Sequence, residues 1–81
     1  MSTVKAQQSG VFFRRPAPEA DPYVREGGHI NAGQTIAVIE AVKTYNPVKS
    51  VAGGTVTRFL LADGTEVAQG QEIAEVADEN T

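Results

Sequence analysis

Gly27-Gly28-His29-Ile30-Asn31-Ala32-Gly33-Gln34-Thr35-Ile36-Ala37 is in effect written twice in this 81-residue chain. Displaced by about 37 positions, it lies on Gly64-Thr65-Glu66-Val67-Ala68-Gln69-Gly70-Gln71-Glu72-Ile73-Ala74. Gly27/Gly64, Gly33/Gly70, Gln34/Gln71, Ile36/Ile73 and Ala37/Ala74 are identical, while Ile30/Val67 and Ile39/Val76 keep their character. Glycines that recur at the same place in two copies mark the same tight turns, so Gly27, Gly33, Gly64 and Gly70 are each expected at positive φ. The earlier stretch Gly10-Val11-Phe12-Phe13-Arg14 also matches, on residues 54–58, but only after a gap. The extra residues fall at 15–21, so the first half carries an insertion that the second lacks.

Working outward, the chain reads as short extended runs separated by glycine-bearing turns. Strand candidates are 10–14, 23–25, 29–31, 35–41, 46–51, 55–61, 66–68 and 71–76. Their spacing means all-β, a sandwich or barrel, and no segment reads as a helix. The repeat then expects two halves that pack as quasi-equivalent sheets. Pro47 implies an edge position for the 46–51 arm. The inserted stretch, with Pro16 and Pro18 and then Pro22, fits neither a central strand nor a helix interior. It is expected to be a stiff, protruding loop. Residues 1–8 are polar without periodicity and read as a flexible arm, 9–77 as the domain, and 78–81 as a polar tail.

Composition removes several function classes. Net charge is -3 and no Lys/Arg stripe exists, which speaks against nucleic acid as a partner. No apolar run approaches the roughly 20 residues of a membrane helix, and no signal-peptide core opens the chain, so no membrane partner is expected. Cysteine is absent and there is one histidine, His29, so neither a Cys/His pair nor an N/S metal site can form. His29 aligns with Glu66 in the repeat, which suggests an exposed strand edge. The carboxylates are scattered through turns and the tail as solvated groups rather than as an acid/base pair. Gly27-Gly28 does not lead from a strand into a helix, so it is no phosphate loop.

The lysines remain. Lys5 and Lys49 read as surface charges. Lys43 sits between the strand candidate 35–41, with its apolar run Ile36-Ala37-Val38-Ile39, and the return arm, at the tip of a hairpin over about 35–51 that joins the two halves. There its four-carbon stem can hold a covalent group away from the body. A two-residue type I′ turn at Val42-Lys43 would force the β-branched Val42 to positive φ. The tip is therefore expected to be either strained at Val42 or opened into a longer loop.

Glu40-Ala41-Val42-Lys43-Thr44-Tyr45-Asn46-Pro47-Val48 resembles the biotin-attachment motif of biotin carboxyl carrier domains, usually Glu-Ala-Met-Lys-Met. Gly10-Val11-Phe12-Phe13-Arg14-Arg15-Pro16-Ala17-Pro18 is similar to the opening of the carrier subunit of multi-subunit acetyl-CoA carboxylases. Tyr23-Val24-Arg25-Glu26-Gly27 and Ala32-Gly33-Gln34-Thr35 continue the likeness, which persists to Val76. The family departs at Val42 and Thr44, where it usually carries Met. Lipoyl domains share the fold and often place Asp or Val before their lysine, but lack the insertion.

The resemblance implies an all-β, flattened barrel-sandwich hybrid of two quasi-symmetric four-stranded antiparallel sheets, with biotin covalently on Lys43, and Glu40, Ala41, Val42 and Thr44 as the motif that biotin protein ligase reads. It implies that 15–21 is the thumb of these subunits, with Pro16, Ala17, Pro18 and Glu19 near the biotin. It further implies a non-catalytic carrier of a cytoplasmic complex. The carrier moves carboxyl groups from a biotin carboxylase subunit to a carboxyltransferase subunit, with acetyl-CoA as acceptor. Two alternatives stay open: a lipoyl-bearing carrier domain, and an unmodified β-sandwich interaction module like the hybrid domains of membrane-fusion proteins.

Overall fold

Short runs of β-branched and aromatic residues alternate with turns, and eight of them pair as strands in the computed structural model, which describes residues 2–17 and 19–78. The strands are β1 (Ser2–Lys5), β2 (Gly10–Phe13), β3 (His29–Ile30), β4 (Thr35–Ala41), β5 (Thr44–Lys49), β6 (Gly54–Phe59), β7 (Thr65–Val67) and β8 (Glu72–Asp78). They form two four-stranded antiparallel sheets, β1-β8-β6-β3 and β5-β4-β2-β7. No helix occurs among the described residues, and none is long and apolar enough to cross a membrane. Overall dimensions of 38 × 27 × 19 Å give the flattened form that the resemblance implied.

The internal symmetry runs through backbone, turns and core. Gly10 falls on Gly54 at an offset of 44 and Gly27 on Gly64 at 37, and the difference is the inserted segment 15–21. The repeated glycines all have positive φ: 87° at Gly27, 83° at Gly33, 85° at Gly64 and 88° at Gly70. Their hydrogen bonds repeat as well. The Gly27 N–H donates to Val56 O at 2.7 Å and the Gly64 N–H to Phe12 O at 2.8 Å. Gln34 and Gln71 each brace their own turn, accepting on Oε1 from the N–H of Asn31 at 2.9 Å and of Ala68 at 3.0 Å. The core is built from equivalent pairs: Val4/Val48, Phe12/Val56, Ile30/Val67, Ile36/Ile73, Ala37/Ala74 and Ile39/Val76 are all buried. Packing this apolar surface between the sheets supplies the main stabilisation of a chain that has no cysteine and so no disulfide to staple it.

Three sequence expectations are corrected. Residues 2–5 are not a loose arm but β1, with Ser2 opposite Val76 and Val4 opposite Ala74. The strand holds because Val4 and Ala6 are buried, at 6% and 3% exposure, and because the Ser2 hydroxyl donates to Asp78 Oδ1 at 2.7 Å. That hydrogen bond holds the Asp78 carboxyl below its ordinary pKa. Asp78 itself ends β8 instead of opening a tail, and 79–81 lie outside the described residues. Residues 23–25 form no strand, although Val24 is buried. β1 takes the place they were expected to fill, as the symmetry mate of β5.

Two expectations about edges hold. Pro47 lies on β5, an edge strand, and His29 is exposed on β3, an edge strand of the other sheet.

Candidate functional site

The hairpin β4–β5 reaches Lys43 through a continuous ladder: Val38 faces Pro47, Ile39 faces Asn46, Glu40 faces Tyr45 and Ala41 faces Thr44. Only Val42 and Lys43 remain for the turn. The expected strain at Val42 is absent, and the tip has not opened. Lys43 instead takes the positive φ, 61°, alone among the described non-glycine residues. Positive φ at the second central residue only is the sign pattern of a type II turn, which leaves the β-branched residue in an ordinary region. The turn thus resolves the conflict by loading the unfavourable backbone onto the lysine.

Around the tip, Val42 is 88% exposed and Tyr45 67% exposed, with Lys43 and Thr44 also open to solvent. Asn46 ties the strands together below it, its Nδ2 donating to Thr44 Oγ1 at 3.1 Å and to Ile39 O at 3.3 Å. Across the ladder from Tyr45, the Glu40 carboxylate raises the phenol's pKa above its usual value, through hydrogen bonding first and charge second.

The outer faces of the two sheets differ, and the repeat makes the difference measurable. On the Lys43 sheet the outward residues include Phe13 and Val38, opposite one another, with Val38 only 5% exposed yet outside the central core cluster. Their equivalents on the other sheet are Thr57 and Glu75, where the Thr57 hydroxyl donates to Glu75 O and Glu75 pairs with Arg58 at 2.8 Å. What covers the apolar face is the insertion. A pocket of about 470 Å³ opens between Phe13, Val38, Glu40 and Tyr45 on one side and Arg15, Pro16 and Ala17 on the other, with Asp63 at its end.

The insertion is closed at its root. The Tyr23 N–H donates to Arg14 O at 3.0 Å, and the Ala20 N–H donates to Ala17 O at 3.0 Å. Asp63 Oδ1 accepts the Arg14 N–H at 2.7 Å, and Asp63 Oδ2 stands 3.3 Å from Arg15 Nε. That Nε is placed for an ion pair but not aimed for a hydrogen bond. Arg14 turns the other way, with its guanidinium 4.5 Å above the Phe59 ring.

Of the residues singled out in the sequence, 40–44 are thus contiguous at one end of the hairpin, and Glu40, Pro16 and Ala17 meet at the pocket. Glu19 is exposed and does not line it, and Pro18 lies outside the described residues. Phe13, Val38, Tyr45 and Asp63 were not singled out. Comparing outward positions between the repeats, Phe13 against Thr57 and Val38 against Glu75, would have found the first two.

Comparison with known proteins follows the same lines. A profile for biotin- and lipoyl-bearing domains, described as "Biotin-requiring enzyme", matches residues 2–76. The chain is 35% identical over 68 residues to the biotin carboxyl carrier protein of acetyl-CoA carboxylase 1, chloroplastic, of Arabidopsis thaliana, covering 84% of this chain and 24% of that one. It is 33% identical over 64 residues to the biotin carboxyl carrier protein of acetyl-CoA carboxylase from Haemophilus influenzae, covering 79% and 41%. It therefore spans less than half the length of these relatives. Among solved structures it is similar to the Kluyveromyces lactis urea carboxylase, with a TM-score of 0.77 and 26% identity over 94% of this chain and 6% of that one.

Proposed function

The chain belongs to the family of biotin-requiring enzyme domains, and we propose that it is the non-catalytic carrier of a biotin-dependent carboxylase, with Lys43 as the attachment residue. The observation that carries this reading is the tip itself. A solvent-exposed lysine occupies a two-residue turn at positive φ, between Glu40-Ala41-Val42 and Thr44-Tyr45-Asn46, at the end of the longest ladder among the described residues.

Attachment would join Lys43 Nζ to the carboxyl of biotin as an amide. The ligase would first activate that carboxyl with ATP, so that its oxygen leaves with the phosphate group while Nζ gives up its protons, which removes the ammonium charge from the tip. When bound, biotin supplies a ring nitrogen that holds and releases a carboxyl group. The chain's own residues supply no acid or base for that chemistry. They supply reach and rigidity: the β4–β5 ladder fixes the base of the arm, and the Asn46 bonds to Ile39 and Thr44 stiffen the last rungs. Tethering raises the effective concentration of the arm at each partner active site without tight docking, and a preformed tip avoids an ordering cost at every visit. Glu40, Ala41, Val42 and Thr44 are the positions a biotin protein ligase would read. The pocket beside Pro16 and Ala17 is large enough to receive a small bicyclic ring. The partners implied are biotin carboxylase and carboxyltransferase subunits, with acetyl-CoA as acceptor.

The test is intact mass after co-expression with a biotin ligase. A single biotin adduct is expected on the wild-type chain and none on Lys43→Arg. An unmodified wild type, or an adduct that survives the substitution, overturns the reading.

A further inference from the structure

Each half of the molecule uses a turn carboxylate to pin the backbone of the other half. Glu26 Oε2 accepts the Phe59 N–H at 2.8 Å, and Asp63 Oδ1 accepts the Arg14 N–H at 2.7 Å. Glu26 and Asp63 are repeat equivalents, at the offset of 37. What they pin is not equivalent. Phe59 leads into a short turn, whereas Arg14 leads into the inserted loop, where Asp63 adds a second contact, the ion pair with Arg15 at 3.3 Å. Arg15 and Asp63 then line the pocket whose apolar side is Phe13, Val38 and Tyr45. One carboxylate from the second half therefore bolts the root of the insertion carried by the first.

We propose that Asp63 is a positioning residue: it fixes loop 15–21 over the apolar face of β2, β4 and β5, and so sets how far a ring carried on Lys43 is docked beneath the loop rather than free in solvent. The inference rests on the reading of Lys43 as biotin-bearing. The loop's other described ties are its closing bond from Tyr23 to Arg14, local bonds to Ala17 and Ala20, and an exposed ion pair from Asp21 to Arg25 at 3.9 Å, none of which reaches the body of the second half. Without Asp63 the loop keeps its own turn but loses its anchor.

The experiment uses the biotin-loaded chain, with loading confirmed by mass first, so that a failure to load counts against the carrier reading and not against this one. Asp63→Ala, Asp63→Asn and, as the internal control, Glu26→Ala are compared by amide exchange and by the rate of capture on streptavidin. Asp63→Ala should raise exchange of the Tyr23 N–H about tenfold, the equilibrium cost of one lost charge-assisted bond. It should also speed streptavidin capture severalfold. Asp63→Asn, which keeps an oxygen for the Arg14 N–H but not the charge facing Arg15, should fall between. Glu26→Ala should lower the melting temperature and free the Phe59 N–H while leaving Tyr23 exchange and capture unchanged. Faster loop exchange without faster capture would reduce Asp63 to a structural role and overturn the proposal. So would equal acceleration of capture by Glu26→Ala.

Discussion

Replacing Lys43 with glycine should stabilise the fold, and replacing it with alanine should not. Lys43 holds φ at 61°, where a Cβ crowds the following carbonyl and costs about 1–2 kcal/mol per residue. Glycine removes that cost but brings about 0.5–1 kcal/mol of extra backbone entropy to the unfolded chain. The net gain is about 0.5–1 kcal/mol by the same figures. Alanine retains the Cβ and so the strain, and the lysine side chain is exposed, so its loss removes no packing. For a domain of this size each kcal/mol moves the melting temperature by about 4–8 °C, which puts Lys43→Gly about 2–8 °C above Lys43→Ala. Thermal unfolding followed by circular dichroism, with denaturant melts as a check, reads the difference directly. If Lys43→Gly melts at or below Lys43→Ala, the tip does not hold this residue in the left-handed region. A backbone cost kept at the one residue proposed to carry the cofactor fits the tendency of strain to gather at functional positions.

Further outcomes follow from the same geometry. A Cβ at Gly10 would lie 2.5 Å from Ile39 Cγ2 and 2.6 Å from Glu40 O, so Gly10→Ala should cost about 2–3 kcal/mol in urea unfolding; a neutral effect would refute the close β2–β4 approach. Deleting residues 1–5 removes β1, uncovers Val76 and takes Val4 out of the core, so it should lower stability by more than about 2 kcal/mol in the same assay. An unchanged midpoint would restore the loose-arm view. The Tyr45 phenol has its folded-state pKa raised above 10.0 by the Glu40 carboxylate. Its contribution to stability is therefore fully present below that ordinary value and is lost as pH rises through the higher folded-state value. Phenolate absorbance, with Tyr45→Phe as the blank, should titrate lower in Glu40→Gln. An unmoved curve would mean that the cross-strand pair does not form.

How much of this was legible in the sequence depended on whether one residue or a relation between residues carried the signal. Thr35–Ala41 was readable to the residue, because four consecutive apolar positions follow directly on a glycine turn. The turn glycines were readable because each occurs twice. β1 was missed because Ser2-Thr3-Val4-Lys5 alone is too short and polar to signal a strand. At the offset of 44, however, Val4-Lys5 falls on Val48-Lys49, and extending the repeat by that much recovers it. The turn at Val42-Lys43 was misjudged because residue preference excludes positive φ at Val42 but cannot say which neighbour accepts it. Asp63 was invisible for a deeper reason. Its partners, Arg14 and Arg15, are about fifty positions away, and only the closure of one half on the other brings them together.

The central claim is that one lysine of three is chemically distinguished by its place at the tip. Peptide mapping by tandem mass spectrometry, on the chain after limited exposure to a biotin ligase, biotin and ATP, tests it most directly. Lys5 and Lys49 are exposed too, but each stands on a paired edge strand and not in a turn. All of the added biotin should map to Lys43 and none to Lys5 or Lys49. Label spread over the three lysines in proportion to their exposure, or absent from Lys43, would contradict the account.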